Sequence, residues 1–162
     1  MKKLKLIMEL VPEPCWNNNL RNLLGQTKWR RVRYDVIYKA GGRCEICGDV
    51  PDKLECHERW HYDDKKHVQT LKGFIALCYM CHSIKHIGFA FVRLWNESHP
   101  DQVMNGLVEH FMKINKCKKS VFFDEIERVF EKQNERNMYE WKTMMNDFLP
   151  KKTPIQRRTI YM

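Results

Sequence analysis

Apolar residues recur at helical spacing from residue 28 to residue 40, at Trp29, Val32, Val36, Ile37 and Ala40, while Lys28, Arg30, Arg31, Arg33 and Lys39 lie mainly elsewhere around the same turns. Thr27 is placed to cap this helix, and Gly41-Gly42 ends it because glycine tolerates the left-handed conformation there. The period then changes. After the turn chemistry of Gly48 and Pro51-Asp52, Leu54 to Trp60 reads as a short strand, residues 61–70 as a polar loop, and Phe74-Ile75-Ala76-Leu77 as a second strand. A helix is expected from Cys81 to about Ile87. Further on, Ser98 or His99 can cap a helix with Pro100 in its first turn and Val103, Leu107, Phe111 and Ile114 on its apolar side. Lys116 to Lys119 form a basic connection. Ser120 then opens a long helix to about Leu149, with Phe122, Phe123, Ile126, Phe130, Trp141, Met145 and Phe148 as the buried stripe and Pro150 as its stop. Such a stripe reads as core rather than as a platform for stacking bases.

These elements divide the chain into four parts. Residues 1–26 hold Pro12, Pro14, Asn17-Asn18-Asn19 and Gly25, and read as an irregular arm that packs through Trp16 and Leu20. Residues 27–95 carry the basic helix and the central hairpin, residues 96–149 a helical extension, and residues 150–162 a basic, proline-broken tail expected to be mobile. The fold class is α+β. There is no internal repeat.

Composition narrows the function. With 162 residues, 43% of them hydrophobic and 30% charged, the chain suits one folded domain and excludes disorder throughout. No apolar run approaches the roughly 18–20 residues that span a bilayer. The start, MKKLKLIMELVPEP, has neither a long apolar segment nor a small-residue cleavage site, so secretion is not expected. The net charge is +9, and residues 1–43 carry 10 basic against 3 acidic side chains. A basic face at one end attracts phosphate backbones, so nucleic acid is an expected partner, gripped by Arg30, Arg31, Arg33 and Lys39. A merely solvated surface is the plain alternative. A protein partner or a second copy could dock on the C-terminal helices; no membrane is expected.

Four of the seven cysteines form two pairs, Cys44-x-x-Cys47 and Cys78-x-x-Cys81, about thirty residues apart. A disulfide framework would be even in number and dispersed. Paired knuckles instead suit tetrahedral thiolate coordination of structural Zn²⁺, each pair supplying two sulfurs at one corner, and a reducing cytoplasm follows. Knuckle, hairpin and a helix bearing the second pair make a treble-clef arrangement.

Between and after the knuckles stand Glu55-Cys56-His57 and Cys81-His82-Ser83-Ile84-Lys85-His86. His82 and His86 are four apart, so on a helix both imidazoles leave one face and can share a metal. His57 lies on the hairpin that would pack against that helix. The run C-x-x-C, L-E-C-H, A-L-C-x-x-C-H-x-x-K-H resembles the HNH endonucleases with zinc-ribbon cysteines, over about residues 28–90.

The resemblance implies a ββα-metal core that hydrolyses the phosphodiester bonds of nucleic acid, DNA first. It makes His57 the general base and His82 and His86 ligands of a second divalent cation (Mg²⁺, Mn²⁺, Ni²⁺ or Zn²⁺), with the four cysteines on a separate structural zinc. Two positions differ from the family pattern. Gly73 stands where its middle asparagine is expected, and Cys56 where Asp or His often precedes the base. Glu55, Glu58, Asp63 or Asp64 could then enter the ligand set. The alternative is an inactive zinc protein of the same fold that binds nucleic acid or a protein partner. A small chain with this core in its middle also fits a phage or mobile element.

Overall fold

The computed structural model describes residues 3–145 together with Phe148. Among these residues the chain is a mixed α+β fold with five α-helices and a three-stranded sheet. The elements are α1 (Leu20–Lys39), β1 (Glu55–Asp63), β2 (Val68–Leu77), α2 (Tyr79–Lys85), α3 (Ile87–Leu94), α4 (Pro100–Asn115), α5 (Lys119–Asn137) and β3 (Lys142–Met144). No described helix is long and apolar enough to cross a membrane.

The first helix starts earlier than its periodicity predicts. Asn19 accepts a hydrogen bond from the Asn22 N–H at 2.9 Å and opens α1 at Leu20, inside the expected arm. The predicted helix is the part after a kink at Gly25, whose φ of 72° breaks the helical run. Leu20 has moved into helix because it is buried against β2 and its neighbours, with Leu71 and Met145.

β1 and β2 pair antiparallel, His57 opposite Ile75 and Glu58 opposite Phe74, with a bulge between Arg59 and Trp60. The expected polar loop 61–70 is mostly strand, closed by a tight turn in which Asp63 accepts the N–H groups of Lys65 and Lys66. Gly73 pairs with Arg59 at this bulge and has φ +136°, a backbone state that L side chains rarely adopt. Glycine at this position therefore answers a requirement of the bulge.

Downstream, Pro100 starts α4 as expected, and Leu107 and Phe111 are buried. The long helix ends at Asn137 rather than near Leu149. Trp141 and Met145 belong to a strand-like edge, where β3 adds to β2 in parallel, and they are buried by Tyr62, His67 and the cluster around Leu20. Their spacing satisfied a helical stripe, but the sheet edge claims them. Phe123 faces outward at 48% exposed beside the fully buried Phe122. The tail from residue 149 onward lies outside the described residues. The sequence pattern gives no separate helix at α3, which follows α2 almost without interruption.

Among the described residues the arm has no sheet partner, and side chains of the C-terminal helices satisfy part of its backbone. Asn115 accepts from the N–H groups of Lys5 and Leu6 and donates to the Leu6 carbonyl at 2.8 Å. Glu125, Gln133 and Asn137 bind Met8, Val11 and Glu13 in turn. On the other side, Glu9 N–H donates to the Lys85 carbonyl at 2.9 Å. Leu6 and Met8 thereby reach the main core with Ile84, Ile87, Phe111 and Phe122.

Candidate functional site

Two clusters of ligand-type side chains are built on the hairpin and α2. In the first, Cys44, Cys47, Cys78 and Cys81 bring their sulfurs within 4.8 Å of one another. The first knuckle is a tight turn, with Gly48 N–H donating to the Cys44 carbonyl at 2.8 Å, and it is tied to β2 through Glu45 and Ala76. The second is the cap of α2, where Cys78 Sγ accepts from the Cys81 N–H at 3.4 Å. Cys47 Sγ and Cys78 Sγ are 3.6 Å apart. That is far beyond a disulfide bond and close to the roughly 3.8 Å between two sulfurs on one tetrahedral zinc.

Clustered thiols oppose one another's ionisation. Hydrogen bonds from Cys78 and Cys81 pull Cys44 down, whereas the same kind of bond and burial push Cys81 up. Burial takes Cys47 up to about 12. A cation is what allows four such thiolates to coexist, so the set could hold a metal such as zinc.

The second cluster is His57, His82 and His86, which bring one ring nitrogen each to within 4.8 Å of one another. β1 supplies His57. α2 supplies His82, and His86 sits at the break between α2 and α3. The expected helix through Ile87 thus ends at Lys85, but the four-residue spacing still presents both rings together, with centroids 4.7 Å apart. His57 is 4% exposed, and its Nδ1 lies 3.0 Å from His86 Nε2. Two ring nitrogens facing at this distance need a proton or a cation between their lone pairs.

Carboxylates back two of the rings. His57 Nε2 lies 3.4 Å from Glu9 Oε2, and His82 Nδ1 lies 3.5 Å from Glu55 Oε2. Burial, with the neighbouring His57 adding to it, lowers His82 to about 4 and His86 to about 3, so both are neutral ligands at pH 7. The residues therefore fit a divalent cation, with nitrogen donors suited to zinc, nickel or other borderline ions.

Of the acidic residues that could have joined the set, Glu55 alone faces it. Glu58 accepts from Leu20 N–H at 2.8 Å and from the Trp60 indole, serving the start of α1. Asp63 holds the hairpin turn, and Asp64 pairs with Arg136 and Lys132. Cys56 is outside both clusters. Burial, with Glu58 adding to it, raises its thiol to about 12, and this keeps it protonated.

A cleft of about 420 Å³ opens beside the imidazoles, lined among others by Trp16, Arg21, Trp29 and Trp60. A second recess of about 410 Å³ joins Arg30 and Arg33 to Glu55 and His82. Arg31 and Lys39 are exposed but lie outside the lining of both. Arg33 is only partly available, since its Nη2 donates to the Leu54 carbonyl at 3.0 Å.

Two residues near the clusters carry no signal in the sequence. Glu9 lies in an arm with no periodicity, and His110 on α4 places Nε2 3.2 Å from Cys81 Sγ. Only the tertiary fold brings either to its cluster. No protein family, no curated protein and no solved structure matches this chain.

Proposed function

We propose that this chain is a metal-dependent endonuclease of the HNH type, hydrolysing nucleic-acid phosphodiester bonds, with DNA as the substrate to test first. The observation that carries the reading is the convergence of His57, His82 and His86 on one point, apart from the four cysteines and beside the basic recess. In this reading Cys44, Cys47, Cys78 and Cys81 hold a structural zinc, and knuckle, hairpin and α2 form a treble clef. His57, His82 and His86 would hold a divalent cation, which would supply Lewis acidity toward a phosphate oxygen and lower the pKa of water.

The protein's own groups do the rest. His57 is buried, and its two nitrogens face His86 and Glu9. It therefore serves better as a third ligand than as the free base that the resemblance implies. Arg30, and Arg33 in part, position the flanking phosphates in the recess, while Arg31 and Lys39 add long-range attraction. The burial of His57 also favours a second reading, a zinc protein that binds nucleic acid without cutting it.

Supercoiled plasmid incubated with zinc-loaded protein and added Mg²⁺, Mn²⁺, Ni²⁺ or Zn²⁺ separates the two. Nicking that requires one of these ions and falls at least ~100-fold in His86→Ala is the expected result. Retarded migration of intact plasmid with every ion would overturn the hydrolase and leave the binding protein.

A further inference from the structure

We infer that Glu9, from the N-terminal arm, is a positioning residue for the imidazole cluster: its carboxylate accepts the Nε2 proton of His57 and so turns Nδ1 toward the point shared with His82 and His86. The inference rests on the reading of that cluster as a metal site. A histidine that binds a cation through one nitrogen ordinarily donates the other N–H to a carboxylate or carbonyl, which fixes its tautomer and raises its basicity. Glu9 Oε2 is 3.4 Å from His57 Nε2, on the side of the ring opposite the 3.0 Å contact of Nδ1 with His86.

Glu9 is itself held in place. Its other oxygen accepts from Lys85 Nζ at 2.6 Å, and its N–H donates to the Lys85 carbonyl at 2.9 Å. Both carboxylate oxygens are thus engaged, one by His57 and the other by the Lys85 ammonium. The neighbours on either side in the arm, Met8 and Leu10, pack into the core, Met8 at 1% exposed. The arm thus delivers one anion to one ring from about fifty residues away in sequence. Arm and cluster are one unit, although the sequence separates them by the basic helix and the first knuckle.

A purely structural Glu9 would act only by tying the arm to Lys85. The two roles part when the ion pair is cut from either end. In zinc-loaded protein titrated with Co²⁺, followed by calorimetry and by the visible absorption of the bound ion, Glu9→Gln should weaken the second, non-cysteine site by roughly ten- to a hundred-fold. Lys85→Met removes the competing cation and leaves the carboxylate on His57, so it should bind Co²⁺ as tightly as wild type or more tightly.

Equal weakening in both variants, or none in Glu9→Gln, would overturn the role of Glu9 while leaving the metal site standing. A wild-type protein that takes up no second ion would overturn the site and the inference together. Should Glu9→Gln unfold, Glu9→Asp offers the same titration with the anion kept and withdrawn, and weakening there with the wild-type melting temperature supports the role. Unchanged Co²⁺ binding in Glu9→Asp counts against it.

Discussion

His57 Nδ1 and His86 Nε2 approach to 3.0 Å across the interface between β1 and the end of α2, in a place where neither ring is freely solvated. The cysteine cluster stands at the same junction. The second knuckle caps α2 and the first is fixed to β2, so a metal on the four sulfurs would set the angle at which the helix meets the hairpin.

Replacing one sulfur should therefore cost the fold before it costs chemistry. Serine keeps an oxygen that can cap α2, so Cys78→Ser removes the sulfur ligand alone, and a zinc held by the four sulfurs, as proposed, would contribute its binding free energy directly to folding. The expected outcome is about one equivalent less of tightly held zinc and loss of the cooperative thermal transition, measured by metal analysis and circular dichroism. A Cys78→Ser protein that melts like wild type would show that the cluster is not a structural site.

Asn115 tests the docking of the arm. It makes three hydrogen bonds to Lys5 and Leu6 while 6% exposed, so truncation strands buried backbone groups. Asn115→Ala should lower stability by about 3 kcal/mol or more, read from chemical denaturation, because three backbone groups lose their partner and each orphaned buried group costs roughly 1–3 kcal/mol. A change below a few tenths would mean that the arm does not need this clamp.

The imidazoles also set a pH window. His82 and His86 are lowered to about 4 and about 3 by burial, with His57 adding to it, against 6.5 in an unfolded chain. Between those values the unfolded state binds more protons at these two positions, so in protein without a cation on the histidines their contribution to stability rises with pH from about 3 to about 6.5 and is constant above. Melting temperatures of wild type should fall as pH is lowered from 6.5 to 4, and His86→Phe should flatten the slope over the same range. Identical slopes in the two proteins would remove His86 as a cause.

Much of this architecture is legible in the chain, and the exceptions have physical reasons. The doubled C-x-x-C spacing marks the four sulfurs that come together, and the four-residue spacing of His82 and His86 survives the end of α2, because a helix break after Lys85 does not move the rings apart. Trp141 and Met145 misled because their spacing suits a helix as well as it suits an edge strand, and only pairing with Val68 to Thr70 decides between them. The start of α1 was hidden by Gly25, which reads as a breaker yet is absorbed as a kink. Glu9 and His110 could not be found at all by local pattern. Their partners lie far off in the chain, and a carboxylate or an imidazole in an unpatterned segment looks like surface.

The basic helix, finally, contains two kinds of arginine, and salt dependence should tell them apart. Arg31 is exposed with no hydrogen bond to the protein among the described residues, whereas Arg33 is half-buried and bound to the Leu54 carbonyl just before β1. If both contact phosphate, each truncation to alanine reduces the slope of log K against log salt by about 0.9. Arg31→Ala should do only that, with melting unchanged. Arg33→Ala should also lower the melting temperature, since it leaves the Leu54 carbonyl without its donor. Fluorescence-anisotropy titrations of a short duplex at several salt concentrations, beside thermal melts of the same proteins, give both readouts. An unchanged salt slope in Arg31→Ala would take that side chain out of the nucleic-acid surface, and an unchanged slope in both would leave the charge of this helix as a solvated face.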